Sequence, residues 1–428
     1  MEYGMTILGI CGCVEIGFAI WSLTSKIARK SEKAVVRVAG FILLILLLLA
    51  GVLENMTRYG ALIVLLGLQL LVYGIGGLLK KKNNLIQADQ TLKKGRTIAV
   101  ALGNILLYTF CLLPAFLFPQ YNEPKVTGSL EVQIAEYTWV DEERIETYAD
   151  TGENRALTVK FWYPEEEGSY PLVVFSHGAF GMIDSNYSTC MELASNGYVV
   201  ASIAHPYHAI FVEDVNGNVT TVDIDFLNEV YADNGTKDSD GEKRNYEETQ
   251  KWMEVRIGDE NFVLDTILEK VEKREGAPFT LINAEKIGLF GHSMGGATSV
   301  HMGRIRDDID AVIDLEGTML GEYVDFKDGE LVYNEEPYTV PVLDINSADI
   351  DRQARALEEQ EYVNFYLGER ALDYHYKVVE GAGHLNFTDL PMVSPFLANM
   401  LGVGDVDAKQ CIEEINDCVL EFFDLYLK

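Results

Sequence analysis

The chain has 428 residues and a formal net charge of −32, but the charge is unevenly distributed. Up to Gln120 there are 12 Lys and Arg against 5 Asp and Glu, and from Tyr121 onward there are 22 against 61. The acidic part is long enough for one large domain, and its repulsion of phosphates argues against nucleic acid as a partner.

Four apolar stretches come first and predict four transmembrane helices, because a helix needs about 20 apolar residues to cross the hydrocarbon core. They cover residues 5–23, 36–53, 60–79 and 98–118. A signal peptide is an alternative for the first stretch, but no basic leader precedes it and three more stretches follow. The predicted domains are therefore a membrane domain over residues 1–120 and an acidic domain over residues 121–428.

The loops between these stretches predict the orientation in the membrane. The loop after the first stretch and the loop after the third are rich in Lys and Arg, whereas the loop after the second contains only Arg58. Positive charge is retained in the cytoplasm, so both chain ends and the acidic domain are expected outside a multi-pass cell-membrane protein. Glu15 lies in the middle of the first stretch, where it is either functional or neutralised in packing.

The acidic domain alternates between β-rich apolar runs and helical segments, which predicts a mostly parallel sheet flanked by helices. The predicted strands are residues 156–164, 171–177, 198–205, 286–292, 310–317, 341–347 and 374–381. The predicted helices are residues 187–196, 247–273, 294–304, 352–367 and 408–427.

Residues 206–245 interrupt this alternation with a hairpin around Asn216 and Gly217 and then an acidic stretch. An insertion of this length is either a lid that shapes the substrate site or a disordered surface excursion. Asp214, Asn216 and Asn218 have a weak similarity to a calcium loop, but glycine falls at the wrong position. We therefore expect no metal and no other cofactor.

Gly291-His292-Ser293-Met294-Gly295 fits the pattern G-x-S-x-G between an apolar strand and a helix of small residues. Such a turn holds the serine in strained backbone geometry, and small flanking residues avoid clashes while the hydroxyl projects outward. The alternative is a structural turn without chemistry. The context favours Ser293 as a nucleophile.

A serine nucleophile needs a base, and in this fold the base follows the serine and the acid in the chain. Only His301, His375 and His384 come after Ser293. His301 falls on the predicted helix and His375 inside a strand, where core or surface roles suffice. His384 lies in a Gly-rich loop after a strand and is the expected base.

Two residues can supply the acid that orients this base. Asp314 ends the strand after the nucleophile helix, and Asp349 follows the next strand, which is the more common position. The pattern alone does not separate them.

The run Phe175 to Gly181, FSHGAFG, follows an early strand, where such folds place one oxyanion-hole amide beside that of the residue after the nucleophile. Ala179 and Met294 are then the expected backbone donors. The alternative is an ordinary glycine turn.

Several motifs resemble, in the same order, those of the platelet-activating factor acetylhydrolases of the plasma and type II group, relatives of dienelactone hydrolase-like esterases. The motifs are YPLVVFSHGAFG, GHSMGGAT, IDLEGTMLG, VPVLDINS and GHLNFTDL, and the resemblance covers about residues 157–390. The most specific is HxNFxD, at His384, Asn386, Phe387 and Asp389.

The resemblance implies an α/β-hydrolase fold and a calcium-independent serine esterase with Ser293 as nucleophile and His384 as base. It also favours Asp314 over Asp349 as the acid and matches Ala179 and Met294 as oxyanion donors. The membrane stretches are absent from the animal enzymes and residues 206–245 align poorly, so substrate preference does not carry over.

The predicted function is hydrolysis of carboxylic esters, with short or oxidised acyl chains of phospholipids as substrates. A broad carboxylesterase acting on small soluble esters is one alternative. The other is a membrane sensor whose hydrolase-like domain only binds a ligand.

Overall fold

A computed structural model describes residues 2–27, 29–82, 93–233, 239–357 and 362–428. It divides into two compact units. The first contains Met1–Asn122 and Met392–Met400, and the second contains Glu123–Pro391 and Leu401–Lys428. The division after Asn122 lies close to the boundary near residue 120, but the sequence did not predict that a late segment groups with the N-terminal helices.

The first unit is helical and places a helix on each of the four predicted apolar stretches. Its helices are α1 (Glu2–Ser25), α2 (Lys30–Leu49), α3 (Met56–Lys82), α4 (Lys94–Cys111) and α5 (Leu113–Leu117). Two described segments, Tyr3–Ser25 and Met56–Ile75, are long and apolar enough to cross a membrane. The helices α2 and α4 are not apolar enough over their whole length to cross a membrane, because both begin with charged residues.

Glu15 on α1 is almost completely buried in the first unit, with 1% of its surface exposed. Its carboxylate accepts hydrogen bonds from Lys33 and from Arg37 (2.7 Å) on α2, and from Asn104 (3.0 Å) on α4. A charge inside an apolar bundle is costly unless it is paired. The pairing of Glu15 with these groups therefore ties three helices together, which agrees with a packing role.

The strands of the second unit are β1 (Val132–Ile145), β2 (Asn154–Pro164), β3 (Tyr170–Ser176), β4 (Val199–Ala204), β5 (Phe211–Glu213), β6 (Val219–Thr221), β7 (Ile282–His292), β8 (Ala311–Leu315), β9 (Tyr323–Lys327), β10 (Glu330–Tyr333), β11 (Val342–Ser347) and β12 (Tyr374–Val379). Eight of them form one sheet in the order β1-β2-β4-β3-β7-β8-β11-β12. The pairs β1–β2 and β2–β4 are antiparallel, and the other neighbours are parallel. This confirms the predicted mostly parallel α/β sheet.

Helices cover both faces of this sheet, which explains why its central strands are apolar on both sides. The helices that follow α5 in the chain are α6 (Tyr187–Ser195), α7 (Ile224–Asp233), α8 (Ser239–Lys273), α9 (Met294–Ile305), α10 (Ala348–Arg355), α11 (Val363–Arg370), α12 (Leu390–Val393), α13 (Pro395–Leu401) and α14 (Ala408–Leu427). Of these, α13 belongs to the first unit except for Leu401. The helices α8 and α9 pack together against the sheet, as do α6 and α14. Buried aliphatic residues such as Val263, Leu264 and Val300 join α8 and α9 to the main core.

The structure differs from the predicted elements in three places. Strand β1 and the hairpin β9–β10 were not predicted, because their alternating charged residues are typical of edges and loops rather than of the core. The predicted helix over residues 352–367 is divided between α10 and α11, and residues 358–361 lie outside the described part. Within the predicted lid, β5 and β6 form the expected hairpin and α7 follows, while residues 234–238 lie outside the described part.

Candidate active site

Ser293 stands at the turn from β7 to α9 with φ of 55°, a left-handed conformation that is uncommon for residues other than glycine. Its amide donates to Leu315 O at 2.9 Å, which ties the turn to the end of β8. The glycines on each side are needed for close packing. A Cβ at Gly291 would lie 2.2 Å from the carbonyl carbon of Gly295, and a Cβ at Gly295 would lie 1.9 Å from Ser176 O.

His384 begins a helical turn in the loop after β12 and lies beside the nucleophile turn. Its ring centroid is 4.6 Å from that of His292, and its backbone oxygen accepts from His292 Nε2 at 3.0 Å. His292 is the residue before Ser293. Burial lowers the pKa of His292, so this imidazole is neutral and its Nε2–H bond fixes the position of the His384 loop.

Glu316 is the carboxylate that contacts His384. The His384 Nδ1 donates to Glu316 Oε2 at 3.1 Å, while Glu316 Oε1 accepts from the amide of Ser347 at 3.1 Å. Glu316 follows the end of β8, has φ of 54° and is 5% exposed. A hydrogen bond from Nδ1–H to a carboxylate selects the tautomer whose Nε2 lone pair is free to accept a proton.

Asp314, the acid favoured from the sequence, has no contact with His384 and points elsewhere. Its Oδ1 accepts from the amide of Gly317 at 2.9 Å, and its Oδ2 accepts from Asn364 at 3.4 Å. Asp314 is the second-to-last residue of β8 and is fully buried, close to where a Cβ at Gly296 would lie. In this geometry Glu316, the residue just beyond the strand end, contacts the imidazole of His384, and Asp314 has other partners.

Asp349, the alternative acid, does not contact His384 either. It lies in the first turn of α10, where its side chain is 66% exposed and pairs with Arg352 at 3.0 Å. The other late histidines also have local partners: His301 with Gly321 O and His375 with Tyr426. The sequence contained one signal for Glu316: it lies at the end of a predicted strand, directly before Gly317.

The two predicted oxyanion donors are Ala179, in the loop after β3, and Met294, directly after Ser293. Met294 is the first residue of α9, where backbone amides have no partner within the helix. In the described part of the chain, the amide of Ala179 donates no hydrogen bond, whereas that of Phe180 donates to His208 O at 2.8 Å. The neighbouring Gly178 is close to the nucleophile, since a Cβ there would lie 3.1 Å from Ser293 Cβ.

Apolar side chains surround the two donors. Ala179 and Met294 belong to a cluster with Phe226 of α7, Trp252 of α8 and Phe180. Phe226 is fully buried and stacks on His208 with ring centroids 3.9 Å apart. The insertion after β4 thus brings an aromatic side chain next to the predicted oxyanion hole.

A buried Ser-His-Asp array lies at the end of β3 and was not predicted. Ser176 Oγ is 3.0 Å from His205 Nε2, and His205 Nδ1 is 2.9 Å from Asp259 Oδ2. All three residues are 0% exposed, and Asp259 is also paired with Arg155. Burial lowers the pKa of His205 to about 3. This array has the spacing of a catalytic triad but no access to substrate, so it stabilises the end of β3.

The residues after His384 hold its loop in place. Asn386 Oδ1 accepts from the amides of Gly383 (2.9 Å) and Gly404 (2.7 Å). Asp389 accepts from the amide of Ser188 at 2.7 Å in the first turn of α6. Asn386 and Asp389 of the HxNFxD motif therefore have a structural role, since they fix the loop that carries His384. Among the described residues, no group of three or more His, Cys, Asp or Glu is placed to hold a metal ion.

The buried carboxyl pair Asp314 and Asp344 predicts a pH-dependent stability. Burial raises the pKa of both, that of Asp344 to about 7. In the unfolded chain both lose their protons near pH 4. The folded state therefore binds more protons between about pH 4 and pH 7, and the free energy of unfolding falls as pH rises through this window.

Asp314→Asn removes one of the two acids and is expected to weaken this fall. Urea unfolding of the detergent-solubilised full chain from pH 4.5 to pH 8 measures it: the variant should gain stability relative to the unmodified protein as pH rises. A difference between the two that stays constant over the whole range would contradict the prediction.

Comparisons with known proteins agree with the resemblance seen in the motifs. The model of the family described as "Platelet-activating factor acetylhydrolase, isoform II" matches residues 146–428. The chain is 25% identical over 269 residues to a platelet-activating factor acetylhydrolase of Cavia porcellus, covering 60% of this chain and 58% of that protein. It is 24% identical over 272 residues to that of Bos taurus, covering 60% and 57%.

The chain thus spans less than two thirds of the length of these curated relatives. Among solved structures, a ferulic acid esterase from Streptomyces cinnamoneus is similar with a TM-score of 0.52 and 22% identity, covering 71% of this chain and 92% of that chain. At this identity the likeness concerns the fold. The family model covers well over half of the chain, and the protein therefore belongs to the family described as platelet-activating factor acetylhydrolase, isoform II.

Proposed function

We propose that the protein is a serine esterase that cleaves carboxylic esters through an acyl-serine intermediate. The observation that carries the proposal is the hydrogen bond from His384 Nδ1 to Glu316 beside the strained turn of Ser293. A serine, a histidine with a free Nε2 and an orienting carboxylate are the groups that nucleophilic ester cleavage needs. Family membership supports the same chemistry.

In the proposed reaction, His384 Nε2 takes the proton of Ser293 while Oγ attacks the ester carbonyl carbon. Glu316 stabilises the resulting imidazolium, and the amides of Ala179 and Met294 donate to the oxyanion. The imidazolium then protonates the leaving alkoxide, and the C–O bond of the ester breaks. Water, deprotonated by His384, attacks the acyl-serine, and the acid leaves as Ser293 regains its proton.

The proposed substrates are phospholipids with short or oxidised acyl chains. The name of the family and of both mammalian relatives supports this class. Aromatic side chains also form a hydrophobic cluster with Ala179 and Met294, which provides apolar surface for an acyl chain. We further propose that residues 206–245 act as a lid, because Phe226 from this segment is part of that cluster.

A panel of esters tests the substrate class. The purified full chain in detergent is given 1-alkyl-2-acetylglycerophosphocholine, the same lipid with butanoyl, nonanoyl and palmitoyl chains, and p-nitrophenyl acetate. We expect kcat/KM to fall at least tenfold between the acetyl and the palmitoyl lipid. Equal rates on all lipids would contradict the acyl preference, and cleavage of p-nitrophenyl acetate alone would favour a broad carboxylesterase.

We also propose that the N-terminal helices anchor the chain in the cell membrane with the hydrolase unit outside. Two described helices of suitable length and apolarity support an anchor, and the basic loops of the sequence support the orientation. A membrane-impermeant fluorophosphonate should then label the protein on intact cells. Labelling only after permeabilisation would contradict the orientation.

A further inference from the structure

A buried arginine holds the peptide that precedes Ala179. Arg256 on α8 is 0% exposed, and its Nη1 donates to His177 O at 2.7 Å. Its Nη2 donates to Gly178 O at 3.2 Å. Two consecutive carbonyls of the loop after β3 are thus bound by one planar guanidinium, whose fixed fork suits such paired acceptors.

The orientation of Gly178 O decides that of the next amide. In a trans peptide the C=O of one residue and the N–H of the next point in opposite directions. Gly178 O accepts from Arg256 Nη2 at 3.2 Å, from His177 Nδ1 at 2.7 Å and from the amide of Gly181 at 3.0 Å. The N–H of Ala179 is therefore turned away from these three donors. Gly178 itself packs closely against Ser293 and His292, since a Cβ on Gly178 would lie 3.1 Å from Ser293 Cβ and 3.0 Å from His292 Nδ1. The carbonyl of the peptide between Gly178 and Ala179 is therefore held in place. The N–H of the same peptide, that of Ala179, is free to bind an oxyanion.

Arg256 also secures the far end of the same loop. Its Nε donates to His208 Nδ1 at 3.0 Å, and His208 O accepts from the amide of Phe180 at 2.8 Å. His208 Nε2 bonds Tyr148 Oη at 2.7 Å, so the imidazole is neutral with its proton on Nε2. Burial lowers the pKa of His208, which keeps it in that form.

We propose that Arg256 is a positioning residue for the oxyanion hole, holding the peptide between Gly178 and Ala179 in the orientation that binds the tetrahedral intermediate. This rests on the proposed function and adds a residue to it. Arg256 does not touch the reacting atoms. Its loss should affect stabilisation of the transition state more than binding of the ester.

Arg256→Met tests the proposal in the full-length protein, with p-nitrophenyl acetate as substrate and a trifluoromethyl ketone as inhibitor. Removing one oxyanion donor costs about 10²–10³ in kcat in serine hydrolases. We expect kcat to fall by about 10²-fold with KM changed less than threefold. The Ki of the ketone, which forms a tetrahedral adduct, should rise by about the same factor as kcat falls.

Arg256→Lys, which keeps the buried charge but lacks the fork, should give an intermediate loss in both quantities. It also decides the question if Arg256→Met does not fold. Arg304→Met is the matched control: Arg304 makes a fork to Glu322 (2.7 and 2.6 Å) at the other end of α9, so stability should fall while kcat and Ki do not change.

The inference is overturned if kcat of Arg256→Met stays within threefold of the unmodified protein. It is also overturned if kcat falls while Ki for the ketone does not change, since that indicates a general structural defect. If the unmodified protein hydrolyses no ester and reacts with no fluorophosphonate, the proposed function itself has failed, which is a different result.

Discussion

Ser293→Ala is expected to lower kcat for ester hydrolysis by about 10⁶-fold and to abolish covalent labelling by a fluorophosphonate, because Oγ is the nucleophile that attacks the ester in the proposed reaction. The side chain is partly exposed at a strained turn, and a single Oγ is lost, so the fold should be retained. Labelling of the full chain, followed on a gel, gives the answer without knowledge of the natural substrate.

Ser176→Ala is the matched control for this experiment. Ser176 has its own His205 and Asp259 at triad distances, so spacing alone does not distinguish the two serines. The exposure of the two side chains does distinguish them, since Ser176 is completely buried. We expect Ser176→Ala to retain labelling and to lose about 1 kcal/mol of stability with its hydrogen bond. Labelling that survives in Ser293→Ala but not in Ser176→Ala would reverse the assignment of the nucleophile.

Glu316→Gln is expected to lower kcat by about 10⁴-fold, the loss seen when an amide replaces the orienting carboxylate of a serine-protease triad. Glutamine has nearly the same shape, but its amide cannot stabilise an imidazolium and favours the wrong tautomer of His384. Steady-state kinetics on an acetyl ester measure the loss. Circular dichroism spectra should match those of the unmodified protein.

Asp314→Asn and Asp349→Asn complete this test, because each was a candidate acid. Asp314 is directed at Gly317 and Asn364, and Asp349 faces solvent beside Arg352. Both variants are expected to keep kcat within tenfold of the unmodified protein. If Asp314→Asn loses 10⁴-fold and Glu316→Gln does not, Glu316 is not the acid of the proposed triad.

A network of buried charges supports the strand end next to the site. The side chain of Arg155 is buried. Its Nε and Nη2 donate to the two carboxylate oxygens of Asp259 at 2.6 and 2.7 Å, and its Nη1 pairs with Glu146. Asp259 in turn holds His205, which holds Ser176 at the end of β3. Breaking a buried ion pair is costly because the remaining charge has no water to replace its partner. The network therefore fixes the strand end from which the oxyanion loop begins.

Much of the fold was determined by local patterns in the sequence. Apolar runs marked the seven predicted strands of the sheet because those strands are covered on both faces. The turn at Ser293 was recognisable because it needs small residues at Gly291 and Gly295, and the motif at His384 because its loop needs Asn386 and Asp389. Strand β1 was missed because charged residues alternate along an exposed edge, and there local pattern carries little information.

Which carboxylate meets the histidine was decided only by the tertiary structure. Asp314 and Glu316 are only two residues apart, so their distances from His384 along the chain are almost equal. What differs is the end of β8: Asp314 is still inside the strand, beneath α9, whereas Glu316 lies beyond it with left-handed backbone geometry and reaches across to the loop after β12. Likewise, Arg256 and Asp259 are ordinary charged residues on a long helix in the sequence. Their roles arise because α8 packs its charged groups against the end of β3, a long-range contact that no local pattern contains.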